Sequence, residues 1–143
     1  MNFLAKKTNI ISGILLILFS LVRCDSEDHS NIPNVGFKLA VSPAELATIG
    51  PGIMKTFEGG VNGIIVYHNP LEGYTAYDRT CTYEPAFNCA VLVNDTITFP
   101  ECPCCGSQFI LELGAIPADG SEAKYQLKEY RTYWDGDFLI VSN

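Results

Sequence analysis

From Phe37 onward the chain breaks into short β-rich runs, each closed by a turn signal, and this punctuation limits the fold more than any other feature. Phe37 to Val41, Gly63 to His68, Tyr74 to Asp78, Ala90 to Val93, Thr96 to Phe99, Gln108 to Leu113, Tyr125 to Tyr133 and Phe138 to Ser142 are rich in β-branched and aromatic residues. Gly59-Gly60 introduces the second run, and Asn69-Pro70-Leu71-Glu72-Gly73 joins it to the third, which predicts a hairpin. Gly114, Asp119-Gly120 and Asp135-Gly136-Asp137 mark later turns. One short helix is predicted at Ser42-Pro43-Ala44-Glu45-Leu46. Ser42 can cap it, Pro43 suits the first helical position, and Glu45 stands three residues after the cap; Gly50-Pro51-Gly52 ends it. Regularly spaced strands with no second helix predict an all-β domain, a small antiparallel sandwich or barrel.

The N-terminal end reads differently. Lys6 and Lys7 precede a predominantly apolar stretch from Ile10 to Val22, and the chain turns acidic after Cys24. As a helix this stretch would span roughly 20 Å, short of the roughly 30 Å of a bilayer core, so residues 1–23 are expected to be a cleaved signal peptide rather than a permanent span. Leu21-Val22-Arg23-Cys24 is similar to a bacterial lipoprotein processing box in its Leu and Cys, with Arg23 standing where a small residue is usual. Cys24 is then the expected lipidation site, since several acyl chains anchor where one would not. Residues 24–35 are the expected linker: the acidic run Asp25-Ser26-Glu27-Asp28 is similar to a surface-export signal or serves as a solvated tether, and Asn31-Ile32-Pro33-Asn34 carries no periodicity. The expected location is the bacterial cell envelope, on the outer membrane or cell surface, with the membrane as a partner through the anchor.

Loss of Lys6, Lys7 and Arg23, with no acid among residues 1–23, takes the formal charge from −7 to −10, which argues against nucleic acid as a partner. Residues 36–143 suffice for one hydrophobic core and not for two.

Export also alters what cysteines can do, because an oxidising compartment permits disulfides. Beyond Cys24 the chain has Cys81, Cys89, Cys102, Cys104 and Cys105, an odd set that disulfides alone cannot consume. The segments Cys81-Thr82-Tyr83 and Cys102-Pro103-Cys104-Cys105-Gly106-Ser107 resemble the two cluster loops of Rieske iron–sulfur domains. Those loops read C-x-H and C-x-x-H, the second commonly within C-P-C-H-G-S. Gly60 to Val66, Ala76-Tyr77-Asp78, Phe109, Gly114, Gly120 to Ala123 and Leu127-Lys128-Glu129-Tyr130 follow the family's surrounding pattern, although Ser121-Glu122 replaces its usual proline. The resemblance covers about residues 36–143.

The resemblance implies an antiparallel Rieske-type β fold and a [2Fe–2S] cluster that passes single electrons. Cys81 and Cys102 match the thiolate ligands, Cys89 and Cys104 the disulfide pair that ties the loops together in some members, and Ser107 a hydrogen-bond donor to a cluster sulfur. It also implies a redox partner protein that does the chemistry, rather than an independent enzyme. The departure lies at the two histidine positions, which are Tyr83 and Cys105 here. Neutral histidines raise a Rieske potential to roughly −150 to +300 mV, against about −400 mV for all-thiolate plant-type centres, so a Cys105 thiolate implies a low potential.

Three readings stay open at this point. Cys81, Cys102 and Cys105, with Tyr83 or Cys89 as a fourth ligand, hold an unusual [2Fe–2S] centre; or the same thiolates hold zinc, for which Cys102 and Cys105 have ordinary spacing; or the cluster is lost and the cysteines form staples, Cys89–Cys104 and Cys81 with Cys102 or Cys105, in a structural or binding module. His68 lies beside the hairpin turn, roughly 20 Å of strand from Cys81, and is no ligand; His29 lies in the tether. Tyr67, Tyr74, Tyr77, Tyr130, Tyr133 and Trp134 read as core and cross-strand residues before a ligand patch. Glu112, Asp119 and Glu122 read as solvated acids, and no nucleophile–base pair or phosphate loop emerges.

Overall fold

Ile64-Ile65-Val66-Tyr67 is apolar at every position where a strand with one wet face would alternate, and all four are buried. Such a strand needs cover on both faces. The computed structural model, which describes residues 32–84, 88–93 and 99–143, provides it. The fold is all-β and antiparallel. Strands β1 (Lys38–Val41), β2 (Met54–Phe57), β3 (Ile64–Asn69), β4 (Gly73–Asp78), β7 (Glu129–Asp135) and β8 (Phe138–Ser142) form one six-stranded sheet in the order β1-β8-β7-β4-β3-β2. A two-stranded sheet of β5 (Phe109–Ile110) and β6 (Ile116–Pro117) stands apart.

Strand β7 curves the large sheet. Its first residues, Glu129 and Tyr130, pair with β4, and Arg131 to Asp135 pair with β8. Side chains from alternate positions then enter two cores. Ile64, Val66, Ala76 and Tyr130 pack with Val41, Leu46, Ile49, Leu139 and Val141 on one face. Ile65, Tyr67 and Tyr77 pack on the other with Phe109, Leu127 and the cysteine-bearing loops, so those loops are the second cover of the sheet.

The short helix α1 (Pro43–Leu46) forms with the expected cap: the Ser42 hydroxyl accepts from the Glu45 N–H, and the Glu45 carboxylate accepts from the Ser42 N–H at 2.9 Å. The β3–β4 hairpin turns at Asn69, whose side-chain oxygen accepts from the Leu71 N–H at 2.9 Å. Several runs differ from expectation. Ala90 to Val93 makes isolated bridges, Ala90 with Thr80 and Leu92 with Glu101, instead of a ladder strand. Of Thr96 to Phe99, residues 96–98 lie outside the described residues. Gln108 to Leu113 keeps two strand residues and tightens into a 3₁₀ turn at Leu111–Leu113, whose last residue is followed by Gly114 in the left-handed region (φ 82°). The Tyr125 to Tyr133 run begins its strand only at Glu129 and continues to Asp135. Tyr67, Tyr77 and Tyr130 are core residues, whereas Tyr133 and Trp134 are exposed.

Residues 1–31, with the expected signal peptide and Cys24, lie outside the described residues, as do 85–87 and 94–98. Among the described residues, no helix is long and apolar enough to cross a membrane. Ile32 is buried, and the buried Lys128 ammonium donates to the carbonyls of Ile32 and Pro33 at 3.3 and 3.2 Å and to the Asn34 side chain.

Candidate metal centre

Two loops leave the sheet on its second face. The first follows β4 through a buried carboxylate, Asp78. It accepts from the Val61 N–H (2.7 Å) and the Tyr130 hydroxyl (2.6 Å) on one oxygen, and from the Thr80 N–H (2.7 Å) and hydroxyl on the other. One side chain thereby ties the Gly60–Val61 turn, strand β7 and the root of the Cys81 loop. Gly60 makes this possible: its φ is 61°, and a Cβ there would collide with the Asp78 carboxylate and the Tyr130 hydroxyl. The loop returns through hydrogen bonds from the Cys81 N–H to the Cys89 carbonyl (2.8 Å) and from the Val91 N–H to the Arg79 carbonyl (2.7 Å). The Arg79 guanidinium also donates to the Val91 carbonyl. The Thr82 hydroxyl donates to the Tyr125 carbonyl at 2.6 Å and fixes the tip.

The second loop is a tight turn from Cys102 to Ser107. The Cys102 N–H donates to the Ser107 carbonyl and the Gly106 N–H to the Cys102 carbonyl, each at 2.8 Å. Gly106 takes the left-handed conformation (φ 72°) that lets the chain double back. Pro103 precludes continuation of regular pairing, and the turn presents Cys102 and Cys105 together.

The two tips meet. Cys89 and Cys104 are bonded, with Cα atoms 6.5 Å apart, inside the range for an ordinary bridge. Cys81, Cys102 and Cys105 remain as thiols, and their sulfurs all lie within 4.8 Å of one another; Cys81 and Cys105 are 3.6 Å apart. All five cysteines among the described residues, with Tyr83 and Glu84, line one cavity of ≈ 130 Å³. Cys89 is therefore not available as a fourth ligand. The second staple imagined for a metal-free fold, Cys81 with Cys102 or Cys105, is not formed. Tyr83 is 45 % exposed at the cavity wall.

The electrostatics of the three thiols differ. Burial pushes Cys81 far above the ordinary thiol value; the neighbouring Cys102 thiol adds to this, and the Tyr83 backbone N–H opposes it. Burial also acts against ionisation of Cys105, but hydrogen bonds from the Ser107 hydroxyl and backbone N–H, then from the thiols of Cys102 and Cys81, outweigh it and hold Cys105 below the ordinary value. Ser107 is fully buried. Its oxygen accepts from the Ala123 N–H at 2.9 Å and lies 3.1 Å from the Cys105 sulfur, so a Cys105 thiolate receives the serine proton as a hydrogen bond. Ser107, expected to serve a sulfur at this site, lies against the Cys105 sulfur.

A Rieske cluster does not fit this donor set. Its second iron takes two imidazoles, and neither position offers one. The only two histidines in the chain are His29, outside the described residues, and His68, which is held by the Ile49 carbonyl at 2.9 Å and stacked on Tyr74. Sequence reasoning identified the cysteines from their resemblance to the two cluster loops and missed the Asp78–Tyr130 and Thr82–Tyr125 ties, since both link residues more than forty positions apart.

No family model and no curated protein matches the chain. Among solved structures, it is similar to the ferredoxin of carbazole 1,9a-dioxygenase from Nocardioides aromaticivorans IC177 (TM-score 0.47, 18 % identity, covering 71 % of this chain and 95 % of that one). It is also similar to a protein described as the small subunit of an NADPH nitrite reductase (TM-score 0.42, 15 % identity, covering 73 % of this chain and 97 % of that one).

Proposed function

We propose that this chain is an exported, membrane-tethered domain of Rieske type whose two loop tips bind a thiolate-ligated metal centre. One observation carries the reading: Cys81, Cys102 and Cys105, from loops on either side of the site, bring three free sulfurs within 4.8 Å of one another beside a bridge that already locks the loops. Buried thiols left in contact without a ligand repel on ionisation, whereas a metal turns the same convergence into binding. The tether at Cys24 and the envelope location rest on the N-terminal sequence. Single-electron transfer to a partner follows only where the bound metal is iron, since zinc is redox-inert.

A second reading, a metal-free binding or structural module, is favoured by the Cys89–Cys104 bridge and by the 3.6 Å separation of Cys81 and Cys105, short enough for oxidation to a second disulfide. Anaerobic purification of the chain carrying Cys24→Ala, followed by metal analysis, visible spectroscopy and a thiol count, separates the two. Bound metal with Cys81, Cys102 and Cys105 reduced supports the proposal. Metal-free protein with two disulfides and one thiol refutes it.

A further inference from the structure

Resting on the reading that the loop tips bind metal, we infer that the centre is a single thiophilic ion held by Cys81, Cys102 and Cys105, and not a two-iron cluster. The inference comes from where the third sulfur lies. In a cluster built on the Rieske pattern, Cys81 and Cys102 would share one iron, and Cys105, at the second histidine position, would cap the other. Terminal ligands on different irons lie on opposite sides of the bridging sulfides, so Cys105 would be the outlying sulfur. Instead it lies 3.6 Å from Cys81, and all three sulfurs share one neighbourhood.

That spacing matches one tetrahedral ion. Metal–sulfur bonds of about 2.3 Å at tetrahedral angles set sulfurs about 3.8 Å apart, so sulfurs already within 4.8 Å close onto an ion by small side-chain adjustments. The scaffold makes these adjustments local. The Cys102–Ser107 turn is closed by its own backbone hydrogen bonds, and the Cys81 loop is held at its root by Asp78 and at its tip by Thr82.

The donor chemistry agrees. Three soft thiolates favour zinc among the common divalent ions, and Cys102 and Cys105 have the x-x spacing of a zinc loop. The fourth position must be filled from the cavity, whose other lining groups are Tyr83 and Glu84. The Cys89–Cys104 bridge takes the other two described sulfurs out of competition, which leaves three free thiols at the site among the described residues. Ser107 holds the Cys105 sulfur from behind, as groups outside a metal's immediate ligands do when they orient a ligand.

The test uses the full chain with Cys24→Ala in detergent, stripped with chelator under reducing but disulfide-sparing conditions and titrated with Co²⁺ as a spectroscopic stand-in for Zn²⁺. The inference predicts one cobalt per chain, the intense visible bands of a tetrahedral thiolate site, displacement by one zinc, and protection of three thiols. Cys105→Ser, checked for folding by circular dichroism, should weaken cobalt binding at least tenfold. In parallel, the stripped chain is incubated anaerobically with iron and sulfide. Two irons and two acid-labile sulfides per chain, or unchanged cobalt affinity in Cys105→Ser, overturn the single-ion inference and leave the metal-binding proposal standing. Failure to take up cobalt, zinc or iron by a folded chain with three titratable thiols takes down both.

Discussion

Replacing Asp78 by alanine should do more damage than its distance from any sulfur suggests. Its carboxylate is fully buried and accepts four hydrogen bonds from Val61, Thr80 and Tyr130. In Asp78→Ala the Thr80 N–H and hydroxyl and the Tyr130 hydroxyl, all in buried residues, lose the Asp78 acceptor, as does the N–H of the half-buried Val61. Each buried hydrogen bond lost in this way costs about 1–3 kcal/mol, and three of them at the lower part of that range put the substitution at about 3–5 kcal/mol. Against a total stability of about 5–15 kcal/mol, that lowers the melting temperature by roughly 15–30 °C. Asp78→Asn keeps one oxygen acceptor and should cost about half as much, and Tyr130→Phe about 1–2 kcal/mol. Urea unfolding of the three variants gives these values directly. Because Asp78 roots the Cys81 loop, the folded fraction of Asp78→Asn should also bind cobalt more weakly. An Asp78→Ala variant within about 1 kcal/mol of its parent, or one no worse than Tyr130→Phe, would refute the argument that this carboxylate organises the loop.

Other changes have equally specific outcomes. Ser107→Ala removes a hydrogen bond that favours the Cys105 thiolate, so the Cys105 pKa should rise, and alkylation of the metal-free chain at a pH near neutral should slow at Cys105 alone. Joint replacement of Cys89 and Cys104 by alanine opens a crosslink of 15-residue separation and should cost about 3 kcal/mol in a denaturation experiment, with weaker metal binding as the loops part. Gly60→Ala forces a side chain against the Asp78–Tyr130 pair from a left-handed backbone and should leave little folded protein on a size-exclusion column. Cys24→Ala should move the chain from the membrane to the soluble fraction of fractionated cells.

The hairpin and the capped helix were legible because their signals are local: Asn69, Pro70 and Gly73 specify a turn, and Ser42, Pro43 and Glu45 specify a cap within a few residues. The cysteine loops were legible through the resemblance of their short motifs to Rieske cluster loops, which are equally local. What escaped was set by contacts far apart in sequence. Met54–Phe57 mixes Lys55 and Thr56 with apolar residues and becomes a strand because β3 needs a neighbour. Ala90 to Val93 has strand composition, yet its backbone is spent on bridges to Thr80 and Glu101 that shape the loop. Residues 125–128 stay out of β7 because the Tyr125 carbonyl holds Thr82 and the Leu127 N–H bonds the Ala115 carbonyl. The meeting of Cys105 with Cys81 was expected only through the resemblance to the two cluster loops, since spacing tells which cysteines share a loop and not which sulfur of another loop they face.

Alkylation footprinting by mass spectrometry, on the zinc-loaded and chelator-stripped chain, tests the metal centre most directly. The account predicts that Cys81, Cys102 and Cys105 are shielded together when zinc is present, and that on its removal Cys105 reacts first and the buried Cys81 and Cys102 more slowly, with Cys89 and Cys104 joined in both. Identical labelling of the three with and without metal, or a peptide map that finds Cys81 bridged to another cysteine, would contradict it.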